Sequence, residues 1–432
     1  MRKLVIAAAL IVMLPVSAQA FGAKQINVAK GEDVWFAEDH TLHMVAMVAA
    51  FPAGSVYDPK GKDGLASFAA SLMDEGAGRL DSKAFHDALA DKAIQLNVEA
   101  DRDWTVVSLI TLTANAKDAF KLLASALAHP RFDGDAIARV RAQMLQNLKQ
   151  QDQDPSEIAA RDFHQVFFGP HPYAHAPEGT PPGLTSINRN DLVNFAASHW
   201  TRNGVKIAVA GDVNTATLTA LLKSTFGPLR ANAVPPPPNP TRLGAPGLHE
   251  FKMDVPQPNA VFAMSGLLRS NSDYLTAYVA NYILGGGGFS SRLTAEVREK
   301  RGLTYDISTD VPALRKAGLI EGTVATRADA MNQTLSAVRD TMTKFAADGP
   351  TAQELADAKT YLTGSYPLSF SSNAGIAGQL NAFQRAGMPV DYVAKRNSLI
   401  NAVTLDDVKR VAKKYFDPKR MTVVVAGTMT KK

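Results

Sequence analysis

Histidines are the residues of this chain best suited to bind a metal or transfer a proton near neutral pH. The sequence holds nine, and two pairs lie close together along the chain. His40 and His43, at the start of an apolar segment, are expected to point to opposite faces of a strand. His171 and His175 lie in a proline-rich loop, which disfavours the helical spacing that brings two imidazoles to one metal. Neither pair has a third ligand nearby, so these residues alone predict no metal site.

Covalent and phosphate-binding chemistry find little support in the sequence. The chain has no cysteine, which excludes a thiol nucleophile and disulfides, and no Gly-x-Ser-x-Gly motif. Four consecutive glycines, Gly285 to Gly288, follow a helical pattern and precede no Gly-Lys-Ser/Thr, so a phosphate-binding loop is disfavoured. A helix end with a tight turn is a physically simple alternative for this run.

Length and composition indicate a soluble protein of two domains. A chain of 432 residues exceeds the size of one ordinary core, and its 46% hydrophobic and 20% charged residues are typical of globular proteins. The formal charge is +5, and basic and acidic residues are interspersed. This pattern predicts no nucleic-acid partner.

The first 20 residues have the features of a secretory signal peptide. Arg2 and Lys3 precede a short apolar run from Leu4 to Val16, and Ala18-Gln19-Ala20 resembles a signal-peptidase site. We therefore expect cleavage after Ala20 and a periplasmic, or secreted, mature protein without a membrane span. A retained anchor is the alternative, but 13 apolar residues are few for a span that needs about 20.

A proline-rich segment divides the remaining chain nearly in half. Pro235 to Pro238 favour extended polyproline II structure, so residues 231–249 are predicted to be a linker. The predicted domains are residues 21–230 and 250–432. The two halves resemble each other, because the segments 191–211 and 407–427 share a helix, an aromatic pair and a strand at a constant offset of 216 residues. This repeat indicates a duplicated domain.

Hydrophobic periodicity predicts a mixture of strands and helices in both halves. The mixture lacks the strict βαβ rhythm of a Rossmann sheet and favours an α+β fold, with helices on one face of a mainly antiparallel sheet in each domain. The predicted strands are 41–51, 104–113, 260–266 and 305–311; the predicted helices are 65–73, 82–93, 116–128, 135–150, 274–284 and 292–300.

Several motifs along the mature chain resemble the insulinase/pitrilysin-like (M16) peptidases, especially the shorter bacterial and mitochondrial-processing-type branch. The stretch from Gly285 to Tyr305 is the most specific part of the resemblance. The motifs are Glu38-Asp39, Gly64-Leu65-Ala66, Phe168-Gly169-Pro170-His171-Pro172-Tyr173, Gly179-Thr180, Val209-Ala210-Gly211-Asp212, Ile283 to Leu293 and Glu296 to Tyr305. The resemblance implies the M16 (LuxS/MPP-like) fold, in which two similar halves enclose a substrate cavity.

The same resemblance shows that the family's zinc motif is degenerate here. Active members carry His-x-x-Glu-His, in which two histidines bind zinc and the Glu acts as general base. The corresponding positions are Ser67, Ala70 and Ser71, and the third ligand falls near Gln146 or Asn147. The resemblance therefore implies a member with no zinc of its own.

In active relatives the second half supplies an Arg and a Tyr that hold the substrate near the metal, and Arg298 and Tyr305 match these positions. We expect Arg298 late on a helix, Gly302 in the turn and Tyr305 at the start of the next strand. The resemblance also implies that Gly285, Gly286, Gly287, Gly288 and Phe289 form a flexible loop lining the substrate cavity. The structural alternatives are a salt bridge of Arg298 with Glu296 or Glu299 and a half-buried strand position for Tyr305.

These features imply a non-catalytic subunit of a heterodimeric M16 peptidase. The partner would carry zinc and hydrolyse unfolded peptides, while this chain would supply Arg298, Tyr305 and half of the peptide chamber. A peptide-binding or assembly protein without proteolysis is the alternative. A self-sufficient metalloendopeptidase is disfavoured by the missing ligands.

Overall fold

The computed structural model describes residues 22–29 and 31–429. The predicted signal peptide, residues 1–20, lies outside the described residues. Within the described ranges, no helix combines the length and apolar character that a membrane span requires.

Among its described residues, the first half contains eight strands and eight α-helices. The strands are β1 Lys24–Ile26, β2 Asp33–Glu38, β3 Met44–Phe51, β4 Gly76–Ala77, β5 Leu80–Asp81, β6 Gln95–Ala100, β7 Thr105–Leu112 and β8 Lys206–Gly211. The helices are α1 Leu65–Ser71, α2 Ser82–Ala90, α3 Ala116–Ala128, α4 Gly134–Gln151, α5 Pro155–Phe168, α6 Pro181–Ser186, α7 Arg189–His199 and α8 Thr215–Phe226. Six strands form a sheet in the order β1-β2-β8-β3-β7-β6, and β4 pairs with β5 separately.

Up to residue 429, where the described residues end, the second half contains five strands and six α-helices. The strands are β9 Gly247–Phe251, β10 Asn259–Ser265, β11 Ile307–Asp310, β12 Leu319–Ala325 and β13 Thr422–Ala426. The helices are α9 Tyr274–Asn281, α10 Met331–Asp348, α11 Ala352–Gly364, α12 Asn373–Arg385, α13 Tyr392–Ala402 and α14 Leu405–Tyr415. The five strands form one sheet in the order β11-β12-β10-β13-β9.

Apart from the additional edge strand β1 in the first sheet, the two sheets have the same topology, as a duplicated domain requires. Each contains one parallel pair, β2 with β8 and β9 with β13, and its other pairs are antiparallel. The repeated helices begin at 189 and 405 and the repeated strands at 206 and 422, which preserves the offset of 216 residues. Both helices also begin with a capping box, in which the N-cap and N3 residues exchange hydrogen bonds. The α+β prediction is thus confirmed.

Each sheet buries one face under helices of its own half and the other face under a helix of the opposite half. Apolar residues of β3 and β8, such as Ala46 and Ala208, form a cluster with Ile376 and Leu380 of α12. In the same way, α5 of the first half packs on β10 and β13 of the second sheet. The sequence predicts helices on one face only and does not indicate this exchange, because helix periodicity identifies an apolar stripe without showing which sheet it covers.

Buried amide side chains strengthen the contact of α12 with the first sheet. The Nδ2 of Asn381 donates to the carbonyl oxygen of Lys206 at 2.9 Å and to that of Val48 at 3.3 Å. The Nε2 of Gln384 donates to the carbonyls of Asp33 and Ile207 at 2.8 and 3.1 Å. These bonds fix the position of one half on the other, because buried donors without partners are costly.

The proline-rich segment follows the surface of the first half. Tyr57 donates its hydroxyl to the carbonyl of Pro235 at 2.7 Å, and the Nε2 of His171 lies 3.0 Å from the carbonyl oxygen of Pro238. Strand β9 begins at Gly247, within the predicted linker range. The domain boundaries themselves stay a prediction.

Candidate functional site

Helix α1, which carries the zinc-motif positions, is anchored by a buried carboxylate. Asp58 accepts hydrogen bonds from the backbone N–H groups of Gly64 at 2.7 Å and Ala66 at 2.8 Å. Burial raises the pKa of Asp58 to about 7, although these backbone donors act to lower it. Gly64 precedes the helix with a φ of 97°, a conformation that favours glycine.

The degenerate motif offers no zinc-binding geometry. The hydroxyl of Ser67 donates to the carbonyl of Pro177 at 2.6 Å, Ala70 is buried and has no donor atom, and Ser71 is exposed. Gln146 lies on the neighbouring helix α4 and is exposed. A hydroxyl, an amide and a methyl group are not zinc ligands of the kind proteins use, so these residues do not fit the metal.

Another group of possible metal ligands lies just after α1. Donor atoms of Asp74, Glu75 and His86 lie within 4.8 Å of one another. Glu75, however, already forms an ion pair with Arg139 and accepts a hydrogen bond from the hydroxyl of Ser82. A guanidinium on the same carboxylate opposes binding of a cation. This cluster is therefore satisfied within the protein.

The structure corrects one prediction about the histidines. His40 and His43 do not point apart, because their Nδ1 atoms lie 2.6 and 2.8 Å from the two carboxylate oxygens of Asp212. The error arose because these residues precede β3, which begins at Met44, and so strand alternation does not apply. Hydrogen bonds from both rings lower the pKa of Asp212 to about 2. The other pair separates as expected, since His175 pairs with Asp63 at 2.9 Å and His171 contacts the linker.

The glycine run continues the end of α9. Residues Tyr282–Gly286 form a π-helical turn, and Gly288–Ser290 form a short 3-10 turn. A Cβ at Gly285 would collide with the side chain of Thr309 in β11, and one at Gly286 would meet the Asn281 amide at 2.8 Å. Gly288 has a φ of 55° and open space around it. Close packing and a left-handed turn thus explain why glycine is used here.

Arg298 is held by an aromatic ring and forms no ion pair with any residue that the structure describes. It lies on the π-helical segment Thr294–Glu299, and its guanidinium carbon is 4.4 Å from the ring centre of Phe289. Glu296 pairs instead with Lys300 at 2.6 Å and Arg301 at 2.9 Å. The salt-bridge alternative for Arg298 is therefore wrong. The sequence predicts Phe289 only as a loop residue and does not indicate its contact with Arg298. The available signal was that Phe289 is the one aromatic residue between Tyr282 and Tyr305.

Tyr305 lies before the next strand rather than in it. Gly302 makes the expected turn, with a φ of 61° and an N–H that donates to the carbonyl of Arg298 at 2.9 Å. Strand β11 begins only at Ile307, and Tyr305 is 85% exposed. Both the predicted strand start and the half-buried alternative are therefore wrong. The hydroxyl of Thr304 bonds the carbonyls of Asp306 and Ala325 at 2.7 Å, which fixes the turn beside the exposed phenol.

Two sheet edges complete the site. Strand β6 ends the first sheet and lies beside α1, and β11 ends the second sheet beside the glycine-rich turn. An edge strand presents backbone groups that an extended peptide can pair with. Helix α1 supplies neither a zinc ligand nor a general base at its motif positions Ser67, Ala70 and Ser71.

The fold and the motifs together define an M16-type architecture. Comparison with known protein families gives the same assignment. Residues 34–180 match the insulinase family (peptidase family M16), and residues 186–362 match the peptidase M16 inactive domain. The chain belongs to the M16 family.

Individual relatives cover nearly all of the chain. The crystal structure of a peptidase M16 inactive domain from Pseudomonas fluorescens is 30% identical, with a TM-score of 0.90, and the match covers 95% of this chain and 98% of that one. A non-peptidase homolog named YmxG from Helicobacter pylori is 26% identical over 435 residues, covering 100% of both chains. A Helicobacter pylori protease of known structure shares the fold, with 18% identity, a TM-score of 0.84 and coverage of 94% and 99%.

Proposed function

We propose that this chain is the zinc-free, non-catalytic subunit of a heterodimeric M16 metallopeptidase. One combination of features carries the proposal: α1 lacks both zinc-binding histidines and the general base, while Tyr305 is exposed and Arg298 is half-buried. A site that had lost all function would have no need of an accessible arginine and phenol beside a tightly constrained turn.

The proposed role of this pair is to bind a peptide held at the partner's zinc. A guanidinium and a phenol can donate hydrogen bonds to a peptide carbonyl and to the oxyanion that it becomes during hydrolysis. Phe289 orients Arg298 without neutralising it, because the ring carries no formal charge. The partner would supply His-x-x-Glu-His, zinc and the attacking water.

The substrates that fit are unfolded peptides. Pairing with an edge strand such as β6 uses main-chain hydrogen bonds, which demand extended conformation and little particular sequence. The proposal places the mature heterodimer in the periplasm, because residues 1–20 have the pattern of a secretory signal.

The non-catalytic part of the proposal agrees with the name of one relative. The Helicobacter pylori protein that matches over its full length is called a non-peptidase homolog. A peptide-binding or assembly protein without proteolysis is the second candidate, and the same zinc-free α1 favours it. The pair of the half-buried Arg298 and the exposed Tyr305 distinguishes the two candidates, since assembly alone requires neither residue.

The test is a double substitution, Arg298→Ala with Tyr305→Ala, in the co-expressed heterodimer. We expect kcat/KM for peptide cleavage to fall about 100-fold, because loss of transition-state donors has effects of this order. Co-elution of the subunits should be unchanged. The matched control is Arg327→Ala with Tyr361→Ala, two exposed residues of the same types. Unchanged turnover in the first variant would contradict the proposal and favour the assembly role.

A further inference from the structure

A large cavity lies at the junction of the two halves. Its volume is about 810 Å³, and its walls come from the β6–β7 turn of the first half and from α9, α12 and α13 of the second. Pockets of this size commonly bind small molecules. Neither Arg298, Tyr305 nor the zinc-motif positions line it.

Five arginines line this cavity, and most of them lack an acidic partner. They are Arg102, Arg269, Arg315, Arg385 and Arg396. Among the residues that the structure describes, only Arg385 has a carboxylate oxygen within 4.0 Å, that of Asp101 at 3.2 Å. The Nε of Arg385 is buried and has no hydrogen-bond partner within the described ranges.

Aromatic rings hold three of these arginines in place. The guanidinium carbon of Arg315 lies 4.9 Å from the ring centre of Trp104, and that of Arg269 lies 4.4 Å from Tyr274. Arg396 is buried and stacks on Tyr366 at 4.3 Å. A ring positions a guanidinium yet leaves N–H groups free for a ligand, since arginine carries five.

Three acidic residues also line the cavity, Asp101, Asp103 and Asp310, and each accepts hydrogen bonds from backbone N–H groups of the turns around it. Asp101 accepts the backbone N–H groups of Asp103 and Trp104 at 2.7 Å, in addition to Arg385. Asp103 accepts hydrogen bonds from the hydroxyl of Tyr173 at 2.6 Å and from the backbone N–H of Arg315 at 2.8 Å. These carboxylates stabilise the turns that carry them. Because five arginines line the cavity against three aspartates, the lining carries an excess of positive charge.

We propose that this cavity binds a small organic anion carrying two or more phosphate or carboxylate groups. Guanidinium groups recognise both kinds of acid through paired hydrogen bonds, and several around one cavity favour more than one acidic group. The ligand would contact both halves, because Arg315 comes from the second and Trp104 from the first. Binding there would stabilise their junction.

Isothermal titration calorimetry of the full mature chain tests this proposal, with inorganic tripolyphosphate and citrate as separate probes. We expect saturable one-to-one binding of at least one probe; tripolyphosphate alone would identify a phosphate ligand and citrate alone a carboxylate ligand. The variant Arg269→Gln with Arg315→Gln should bind at least about tenfold more weakly, because it removes two charged donors. The matched control is Arg79→Gln with Arg242→Gln, which removes two exposed arginines outside the cavity.

Tryptophan fluorescence provides a second test that leaves the arginines unaltered. Trp104 lines the cavity, whereas the other two tryptophans, Trp35 and Trp200, do not. A probe that contacts Arg315 should change the emission saturably, and Trp104→Phe should abolish the change. The proposal is wrong if neither probe binds or alters emission, or if the control variant weakens binding as much as the cavity variant.

Discussion

The guanidinium carbon of Arg298 lies 4.4 Å from the ring centre of Phe289, across a turn that begins with four glycines. Phe289 is 69% exposed, so the ring does not serve the core. Its attraction for the guanidinium orients the charge and leaves it accessible to a bound peptide. Through Phe289, the glycine-rich turn therefore contacts Arg298, the residue that we propose to act at the partner's zinc.

Removing the ring should weaken the proposed activity without abolishing it. For Phe289→Ala we expect kcat/KM of the heterodimer to fall about twofold to fivefold, since an exposed cation–π contact contributes about 0.5–1 kcal/mol. Phe289→Tyr should retain most of the activity, because tyrosine offers a similar face. Steady-state kinetics of the heterodimers measure this difference in kcat/KM. Equal activity of the alanine variant and the wild type would show that the ring does not orient Arg298 for catalysis.

Gly302 should be required for its backbone conformation alone. Its φ is 61° and a Cβ would meet no atom within 4 Å, so Gly302→Ala introduces strain without a collision. We expect the free energy of unfolding to fall by about 1 kcal/mol. Gly364→Ala, at the end of α11 with equally open space, should be neutral or stabilising. Urea unfolding compares the two variants, and equal midpoints would contradict the strain argument.

Asn381 should contribute strongly to the junction of the halves. Asn381→Ala leaves the carbonyls of Lys206 and Val48 without this donor in a buried site, so we expect a loss of about 1–3 kcal/mol in unfolding free energy. The control is Asn332→Ala at an exposed position of α10, which should change stability by less than about 0.5 kcal/mol. Similar urea midpoints for both variants would show that the contact carries little energy.

The ion pair between Arg292 and Glu354 should make stability depend on acid pH. Burial would raise the pKa of Glu354, but hydrogen bonds from Arg292 and from the backbone of Thr351 lower it from 4.5 to about 2. The folded state therefore holds this proton less tightly than the unfolded state, and the stabilisation present above pH 4.5 is lost as the pH falls toward 2.

The variant Arg292→Gln tests this dependence. Its stability deficit relative to the wild type should be largest at pH 6 and should shrink by pH 3, measured by urea unfolding at each pH. Arg327→Gln is the control, because its pair with Asp329 is more exposed. A deficit that is the same at both pH values would mean that the deficit does not arise from the lowered pKa of Glu354.

The sequence predicted local structure well where periodicity and caps agree. Helix 116–128 has the predicted bounds, and the offset of 216 residues identified matching helices and strands in both halves. The missing zinc ligands were also evident, because motif spacing along one helix fixes which residues must meet.

Features that depend on distant contacts could not be predicted from the sequence. His40 and His43 meet on Asp212, which lies some 170 residues away, and the exchange of α5 and α12 joins opposite halves. Tyr305 lies outside the strand because the pairing of β11 with its partner β12 begins only at Ile307. The cavity arginines are spread from residue 102 to residue 396 and have no sequence spacing in common.

The most direct test of the proposed function is affinity purification of this chain from a native cell-envelope extract, with analysis of companions, metal and peptidase activity. We predict a stoichiometric companion of similar size that carries His-x-x-Glu-His, with chelator-sensitive cleavage by the pair and no zinc in this chain. Recovery of the chain alone, or of one tightly bound zinc per chain with cleavage by the chain itself, would contradict the account.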